Sequence, residues 1–339
     1  MNSSRFDALT GRYRALRLAL VGDFCLDRYL EIDPARAETS LETGLSVHNV
    51  VGVRAQPGGT GTILNNLAAL GVGELWPVGF CGDDGEGYEL RRALATLPGV
   101  RLDHFQTAPD RRTFTYCKPL ILEAGKPPRE LNRLDSKNWS ATPPAISEAL
   151  AASIQTLSDR VDGVIVLDQV DVADTGVVTP GVLAQIHVLA GRCPQLPILA
   201  DSRRGLRGWP PVILKMNLTE LLHLSPEANA NGIPGVQRAA SALARGNGRS
   251  VFVTLAERGL VGADPDGACE HVEALPLRGA IDIVGAGDAV MANLACAQAA
   301  GATLRQSLEL AGAAASIVIH QLGTTGTATV AEMRARLCS

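Results

Sequence analysis

The sequence lacks the groups of cysteine and histidine that mark a metal centre or a disulfide-stabilised fold. Its 7 cysteines stand singly, no CxxC pair occurs, and the 6 histidines form no HExxH motif, which argues against a zinc site and a disulfide framework. Long apolar runs are also missing: no stretch approaches the roughly 18 residues of a membrane-spanning helix, and the N-terminal apolar run is too short for a signal peptide. We therefore expect a globular, cytoplasmic protein with reduced thiols and no membrane partner.

A strong charge of one sign is missing as well. The chain has 31 Lys and Arg residues against 35 Asp and Glu residues, a net charge of -4, which gives no general attraction to nucleic acid or anionic membranes. Its 46% hydrophobic content and 19% charged content exclude a disordered polyelectrolyte. At about 150 residues per domain, the 339 residues correspond to roughly two domains or to one large domain with an insertion.

The sequence does contain a series of short, continuously apolar runs, each followed by a helix-like segment. Continuous apolar strands that alternate with helices are typical of a parallel sheet covered on both faces. The sequence therefore predicts an α/β fold in three layers, a mainly parallel sheet with helices on both faces. In such folds ligands bind beyond the carboxyl ends of the strands. The predicted strands are residues 16–21, 75–80, 163–167, 196–200 and 251–255.

Two segments, residues 28–56 and 100–135, depart from this pattern. Apolar and polar residues alternate in both, as in strands with one exposed face. We interpret them as antiparallel strands of a small β lid, inserted into the main body and placed over the strand ends. Because no internal repeat or long linker occurs, residues 1–339 are predicted to form one α/β domain with this lid.

The most informative motif is GAGD at residues 285–288, which precedes a predicted helix ending at Gly301. The small residues Gly285, Ala286 and Gly287 leave N–H groups accessible at the start of that helix, where the helix dipole also favours an anion such as phosphate. A carboxylate at Asp288 in such a cradle suits a general base that takes a proton from a hydroxyl during phosphoryl transfer. Taken alone, the motif also fits a Gly-rich turn with an aspartate as helix cap.

Two further motifs lie near the N-terminus. PGGTGT at residues 57–62 precedes a predicted helix that ends at Gly71, and its glycines Gly58 and Gly59 would let the backbone approach a ligand closely. GDFCLDRY at residues 22–29 places Asp23 and Asp27 after the first strand, where carboxylates suit the vicinal hydroxyls of a sugar. Each motif alone fits a tight turn or a helix-capping loop as well.

Taken together and in order along the chain, these motifs resemble those of the ribokinase-like (PfkB) family of carbohydrate kinases. The family's Asn-x-x-Glu motif reads NLTE at residues 217–220, and its nucleotide motif reads TLAERG at residues 254–259. The resemblance implies ATP-dependent phosphorylation of an alcohol, with Asp288 as base and the amides of residues 285–287 as anion hole. It also implies that Asp27, Gly58 and Gly59 face the sugar and that Asn217 and Glu220 organise Mg²⁺. The residues that it assigns to the nucleotide are Asn217, Glu220, Thr254, Ala256 (where the family usually has Gly), Gly259 and Gly323.

Within the family, the likeness is to the subfamily that phosphorylates heptose 7-phosphate. It rests on GDxxLDRY, on PGG with the following NxAxLG, on RLD at residues 133–135 and on LGTT at residues 322–325. Thr62 stands where the subfamily has Asn, and Lys118 stands where it has Arg. The further substrate-binding candidates are Thr62, Asn66, Lys118 and Arg133, with Arg111 or Arg112 as additional cations for a substrate phosphate.

The resemblance leaves the acceptor and the assembly open. The alternatives are a kinase of another sugar or of a nucleoside with the same mechanism, and a catalytically silent protein that senses sugars or nucleotides. The resemblance also implies a monovalent cation such as K⁺ near the anion hole, held by Asp282, Val284, Val318 and Gly323. Because exposed lid strands of this family often pair between subunits, we expect a homodimer through the lid.

Overall fold

The computed structural model describes residues 1–225 and 231–338, and in these residues strands and helices alternate along most of the chain. The strands are β1 (Arg17–Gly22), β2 (Phe24–Ile32), β3 (Glu38–Thr39), β4 (Ser46–Val47), β5 (Val50–Gly59), β6 (Glu74–Gly82), β7 (Phe105–Ala108), β8 (Thr115–Ile121), β9 (Arg129–Glu130), β10 (Leu134–Ser136), β11 (Gly163–Asp168), β12 (Ile198–Ser202), β13 (Ile213–Asn217), β14 (Val251–Thr254), β15 (Leu260–Ala263) and β16 (Cys269–Val272). The α-helices are α1 (Ser3–Thr10), α2 (Thr60–Ala69), α3 (Gly85–Ala95), α4 (Pro144–Leu157), α5 (Pro180–Arg192), α6 (Leu218–Leu224), α7 (Gly232–Asn247), α8 (Ala286–Ala299), α9 (Leu304–Val318) and α10 (Val330–Leu337). Short 3₁₀ helices span Tyr13–Ala15, Pro34–Arg36, Leu102–His104 and Ala256–Arg258.

The main sheet has nine strands in the order β16-β15-β14-β13-β12-β11-β1-β6-β7. Neighbouring strands from β14 to β7 run parallel, whereas β15 and β16 at one edge are antiparallel. The predicted fold class is confirmed. Strands β1, β6, β11, β12 and β14 coincide with the predicted apolar runs, and β13 lies outside them.

Two apolar cores lie on the two faces of the main sheet, because successive side chains of a strand point to opposite faces. In β1, Leu18 and Leu20 belong to one core, and Ala19 and Val21 belong to the other. The first core includes residues of α1, α2, α3, α8, α9 and α10, and the second includes residues of α4, α5, α6 and α7. Within residues 1–225 and 231–338, no helix is both long enough and apolar enough to cross a lipid bilayer.

A second sheet, which we call the lid sheet, has the strand order β10-β8-β2-β5, with β9 paired to β8. Strands β5, β9 and β10 are antiparallel to their partners, as expected. Two expectations for residues 100–135 are wrong: β7 is a parallel edge strand of the main sheet, and β8 runs parallel to β2. The first result follows because β6, α3 and β7 form a β-α-β unit, whose strands run parallel. The second follows because β2 and β8 both leave the carboxyl edge of the main sheet and therefore run in the same direction.

Candidate active site

The N-terminus of α8 forms a backbone cradle beside β12 and β13. Gly285 caps α8 with a φ of 81°, a left-handed conformation that favours glycine. A Cβ atom on Gly285 would also lie 3.3 Å from the Cβ atom of Thr325. The first N–H groups of a helix have no carbonyl partner within it, and Asp288 stands in this first turn. The motif at residues 285–288 thus combines N–H donors and a carboxylate at one helix end.

The surroundings of Asp288 hold its pKa near neutrality. Burial raises the pKa of Asp288 from an ordinary 3.8 to about 7; the ammonium group of Lys215 lowers it, Asp201 and Asp27 raise it, and Arg203 lowers it. A carboxyl group with a pKa near the working pH suits a general base. Because Asp27 is close enough to act on Asp288, residues from opposite ends of the chain meet at one site.

Sequence reasoning missed a buried ion pair next to Asp288. Nζ of Lys215 on β13 lies 2.5 Å from Oδ2 of Asp201 at the end of β12. A Cβ atom on Gly287 would lie 3.2 Å from this Nζ atom, so the glycine leaves room for the ammonium group. The signal in the sequence is a single lysine in the apolar run ILKM that precedes Asn217.

A pocket of about 540 Å³ lies beside the cradle. Four nucleotide candidates, Asn217, Thr254, Ala256 and Gly259, line it together with Gly287. Two other candidates, Glu220 and Gly323, do not line this pocket. Its apolar and small lining residues include Ile281, Ile283, Gly312, Ala315, Ser316 and Ile319.

Ala256 adopts a backbone conformation that is unusual for alanine. Its φ is 52°, in the left-handed region that costs a residue with a Cβ atom about 1–2 kcal/mol. Glycine, which the family usually has at this position, carries no such steric cost. The pocket wall is therefore locally strained at this residue.

Asn217 and Glu220 form a capping box at the beginning of α6. The N–H group of Glu220 donates to Oδ1 of Asn217 at 2.9 Å, and the N–H group of Asn217 donates to Oε2 of Glu220 at 2.7 Å. Burial raises the pKa of Glu220, the hydrogen bond from Asn217 lowers it, Asp201 raises it and Lys215 lowers it. The capping box therefore fixes both oxygen-bearing side chains close to the Lys215–Asp201 pair.

Asp27 lies on β2 in the lid sheet and is 7% exposed. Nζ of Lys118, on the neighbouring β8, lies 3.6 Å from Oδ1 of Asp27. A Cβ atom on Gly58 would lie 2.8 Å from Oδ2 of Asp27, so glycine at this position makes room for the carboxylate. Burial raises the pKa of Asp27, and Lys118 lowers it. Gly59 follows with a φ of 58° as the N-cap of α2, so these sugar candidates lie side by side.

Three more cations lie around Tyr116 of β8. The guanidinium carbon of Arg133 is 4.8 Å from the centre of the Tyr116 ring, and Nζ of Lys137 is 5.9 Å from it. Arg133 pairs with Asp135, while Lys137 and Arg203 both pair with Asp171. Lys137 and Arg203 were not among the predicted site residues; Lys137 follows the lid segment, and Arg203 follows β12.

The structure does not support two substrate candidates on α2. Asn66 is fully buried, and its Nδ2 atom donates to the carbonyl oxygens of Thr62 and Gly326. Thr62 is buried beside it. The hydrogen bond from Asn66 to Gly326 holds the loop before α10 against α2, so Asn66 has a structural role, and binding of a substrate by Thr62 or Asn66 stays a prediction.

Asp23 and Arg111 also stabilise the fold. Asp23 accepts hydrogen bonds from the N–H groups of Gln169 at 2.8 Å and Val177 at 2.7 Å, and burial raises its pKa to about 6. The buried guanidinium group of Arg111 donates to the carbonyl oxygen of Thr175 at 2.7 Å. These contacts hold both buried side chains in place within the fold.

Arg112, the alternative phosphate candidate, lies beside acidic side chains. Its guanidinium nitrogens are 3.6 Å from Asp84 and 3.9 Å from Glu86. Neither it nor Arg111 joins the cations that lie around Tyr116.

Asp282 contacts two of the other three residues expected to hold a monovalent cation. Its carboxylate accepts hydrogen bonds from the N–H groups of Val284 at 3.0 Å and Gly323 at 3.3 Å. The carbonyl oxygen of Val318 accepts a hydrogen bond from Gln321. The cation itself stays a prediction.

Known proteins resemble this chain in sequence. The sequence model of the pfkB family carbohydrate kinases matches residues 197–330. The bifunctional protein HldE of Azorhizobium caulinodans is 33% identical over 329 residues, which cover 94% of this chain and 64% of the relative. The chain thus spans less than two thirds of the length of this relative.

Solved structures resemble the chain in fold. Ribokinase from Arabidopsis thaliana, complexed with ribose and ATP, has a TM-score of 0.64 at 19% identity and covers 94% of this chain and 95% of its own. Phosphofructokinase-2 from Escherichia coli, in complex with fructose-6-phosphate, has a TM-score of 0.67 at 19% identity and covers 95% of this chain and 99% of its own. The fold is therefore ribokinase-like. In sequence, residues 197–330 resemble the PfkB family of carbohydrate kinases, as the motifs of the chain predict.

Proposed function

We propose that the protein transfers the γ-phosphoryl group of ATP to a hydroxyl group of a sugar or sugar phosphate, with a heptose 7-phosphate favoured as acceptor. The observation that carries this proposal is the position of Asp288. This carboxyl group, with a pKa of about 7, stands one residue after Gly287 in the pocket wall and near Asp27 of the lid sheet. A base at the junction of two binding sites suits transfer between two bound substrates.

In this reaction Asp288 accepts the proton of the acceptor hydroxyl group, and the oxygen of that hydroxyl group attacks the γ-phosphorus. ADP leaves with the electron pair of the broken P–O bond. The amides of residues 285–287 donate to the charge that develops on the phosphoryl oxygens. Water would compete as acceptor in an open site, and the lid sheet is the element that would exclude it.

The nucleotide would occupy the 540 Å³ pocket. Thr254, Ala256 and Gly259 would lie along the nucleotide, and the small residues Gly312 and Ala315 of α9 leave space for a flat adenine ring. A largely apolar pocket with a few polar groups at one end is typical of sites for small organic ligands.

Asn217 and Glu220 offer an amide oxygen and a carboxylate, the ligand types that Mg²⁺ prefers. In the described parts of the chain, no group of three or more His, Cys, Asp or Glu side chains could hold a metal ion. One amide oxygen and one carboxylate fit Mg²⁺, which usually takes one or two carboxylates together with water and substrate phosphates. When bound, Mg²⁺ would neutralise part of the phosphate charge. K⁺ at Asp282, Val284, Val318 and Gly323 is proposed on the family resemblance.

The acceptor would lie between the lid sheet and the cradle. Asp27, Gly58 and Gly59 would face its hydroxyl groups. A phosphate on the acceptor would lie among Lys118, Arg133, Lys137 and Arg203, because cationic side chains recognise phosphate best. These four cations pair with Asp27, Asp135 and Asp171, and Lys137 and Arg203 share the carboxylate of Asp171; this cluster of cations supports a phosphorylated acceptor.

We propose a homodimer in which two chains pair through the lid sheet. Strand β5 lies at the edge of that sheet, and it carries the exposed side chains of Val50, Val51 and Val53. An exposed apolar edge strand is a template for pairing with another chain.

The test is ADP formation from ATP and Mg²⁺ with heptose 7-phosphate, fructose 6-phosphate, ribose and nucleosides as acceptors. We expect the highest kcat/KM with the heptose phosphate. Asp288→Asn should lower kcat by about 10²–10⁴-fold while ATP affinity changes little. Turnover with none of the acceptors would favour a silent sensor, and preference for a nucleoside would change the acceptor assignment. Unchanged turnover in the Asp288 variant would reject its role as base.

A further inference from the structure

Lys215 is a buried cation in β13, where the residues before it and Met216 after it are apolar. It is 7% exposed, and its neighbours Leu214 and Met216 belong to the core between the main sheet and α4–α7. Removing an ammonium group from water costs several kcal/mol unless a partner compensates for it. Asp201 provides such a partner at 2.5 Å. This ion pair allows Lys215 to stay charged although it is buried.

The ammonium group points to the cradle rather than to solvent. The Nζ atom would lie 3.2 Å from a Cβ atom on Gly287, and Gly287 also lines the nucleotide pocket. The charge of Lys215 acts on Asp288 and on Glu220. Lys215 therefore lies where the cradle, the proposed base and the capping box meet.

We propose that Lys215 is a catalytic residue whose ammonium group binds the phosphoryl group during its transfer. The proposal rests on the proposed kinase function. Cations at a transferring phosphoryl group stabilise the charge spread over its oxygens, and a preorganised, buried cation does so with little rearrangement. Asp201 positions the ammonium group before the substrates bind.

The step balances without a further reactant. The bond between the γ-phosphorus and the oxygen bridging to the β-phosphorus breaks, and its electron pair stays on ADP. A bond forms between phosphorus and the acceptor oxygen, whose proton passes to Asp288. Lys215 keeps its three protons and donates hydrogen bonds to the phosphoryl oxygens throughout.

The alternative is that Lys215 only joins β13 to β12 through Asp201. The two roles differ in what they do to nucleotide binding. A cation that contacts the γ-phosphoryl group strengthens binding of a nucleoside triphosphate more than that of a diphosphate. An ion pair that only supports the fold affects both nucleotides alike or neither.

The experiment measures the Kd of a non-hydrolysable ATP analogue and of ADP by calorimetry, with Mg²⁺, on the full chain. For Lys215→Met we expect analogue affinity to fall about 10–100-fold and ADP affinity to change less than about twofold, as expected for one charge-assisted hydrogen bond. In turnover assays, kcat should fall about 10²–10³-fold with an unchanged KM for the sugar. Lys215→Arg should restore part of the lost kcat.

The matched control is Lys126→Met, which removes an exposed lysine paired with Glu123 and should change none of these values. If Lys215→Met does not fold, Lys215→Gln, which can still hydrogen-bond Asp201, should show the same loss for the analogue. Equal losses for the analogue and ADP, or a normal kcat, would overturn the role of Lys215. Absence of turnover in the unmodified protein would instead reject the proposed kinase function.

Discussion

At the scale of single residues, the charge state of Asp288 determines whether it can accept a proton. Its pKa of about 7 is raised, so the carboxylate form is lost as the pH falls through 7. We expect kcat/KM to fall tenfold per pH unit below about pH 7, since this ratio reports on groups of the free enzyme. Rate measurements between pH 5 and 9 test this.

The control for this pH profile is Asp201→Asn. Asp201 raises the pKa of Asp288, so its neutral variant should move the acid limb of the profile to lower pH. Titration of ATP or of a sugar phosphate would not shift with the variant. An acid limb at the same pH in both proteins would therefore assign it to the substrates and contradict the prediction for Asp288.

Ala256 is a second residue whose local conformation leads to a prediction. Because its φ is 52°, Ala256→Gly should relieve steric strain and raise the free energy of unfolding by about 0.5–1 kcal/mol. Urea denaturation measures this change. Ala315→Gly, in the last turn of α9 and in the wall of the same pocket, should lower the same quantity by up to about 1 kcal/mol. Destabilisation in both variants would show that the backbone at Ala256 is not strained.

At the scale of elements, the sequence predicts which segments form buried strands, but it does not predict the direction in which neighbouring strands pair. Buried parallel strands are apolar throughout, so β1, β6, β11, β12 and β14 are visible as apolar runs. Lys215 interrupts the apolar run of β13, so the sequence pattern does not predict this strand. Alternation in the lid segments reports exposure of one face but not the direction of the neighbouring strand, which is why the parallel pairing of β8 with β2 is missed.

The same limit applies to the candidate site. The glycines and Asp288 of the cradle follow from a local motif, because a helix end is built from consecutive residues. The burial of the Asn66 side chain against Gly326 and the short distance between Lys215 and Gly287 depend on how elements far apart in the sequence pack together. No spacing along the chain carries that information.

The lid sheet and the cradle are joined by Gln56 of β5. Its Nε2 atom donates to Oγ1 of Thr325 at 2.6 Å, and Oγ1 of Thr324 donates to its Oε1 atom at 3.2 Å; Thr325 in turn packs on Gly285. Gln56→Ala should lower kcat about 3–10-fold, because the sugar and phosphate sites are then held less firmly in register. Steady-state kinetics with the preferred acceptor measures this.

Asn49→Ala is the matched control for Gln56→Ala. Asn49 also donates two hydrogen bonds, to the carbonyl oxygen of Arg36 and to Glu38, but these lie within the lid. Both variants should lose about 1–2 kcal/mol of stability, and only Gln56→Ala should lose kcat. A normal kcat in Gln56→Ala would show that this contact does not couple the two sites.

At the scale of the whole molecule, the proposed site is closed by segments from both ends of the chain. Asp27 comes from the first fifty residues and Asp288 from the last fifty-two, and the link from Gln56 to Thr325 spans 269 positions. One part of the lid sheet, which carries Asp27 and Gln56, therefore lies at the proposed site. The first residues of its edge strand β5 are exposed, with Val51 52% and Val53 51% exposed.

This exposed edge leads to a prediction for the assembly. If two chains pair through β5, Val53→Glu places a charge in the interface, where burial of an unpaired carboxylate costs several kcal/mol, and should convert the dimer to a monomer. Sedimentation velocity at micromolar concentration measures the change. Val188→Glu, at a valine of α5 that is 47% exposed and lies outside the lid sheet, should leave the dimer intact. A monomeric unmodified protein, or a dimer that survives Val53→Glu, would contradict pairing through the lid. A dimer that dissociates with loss of kcat would show that the lid needs its partner to close over the acceptor.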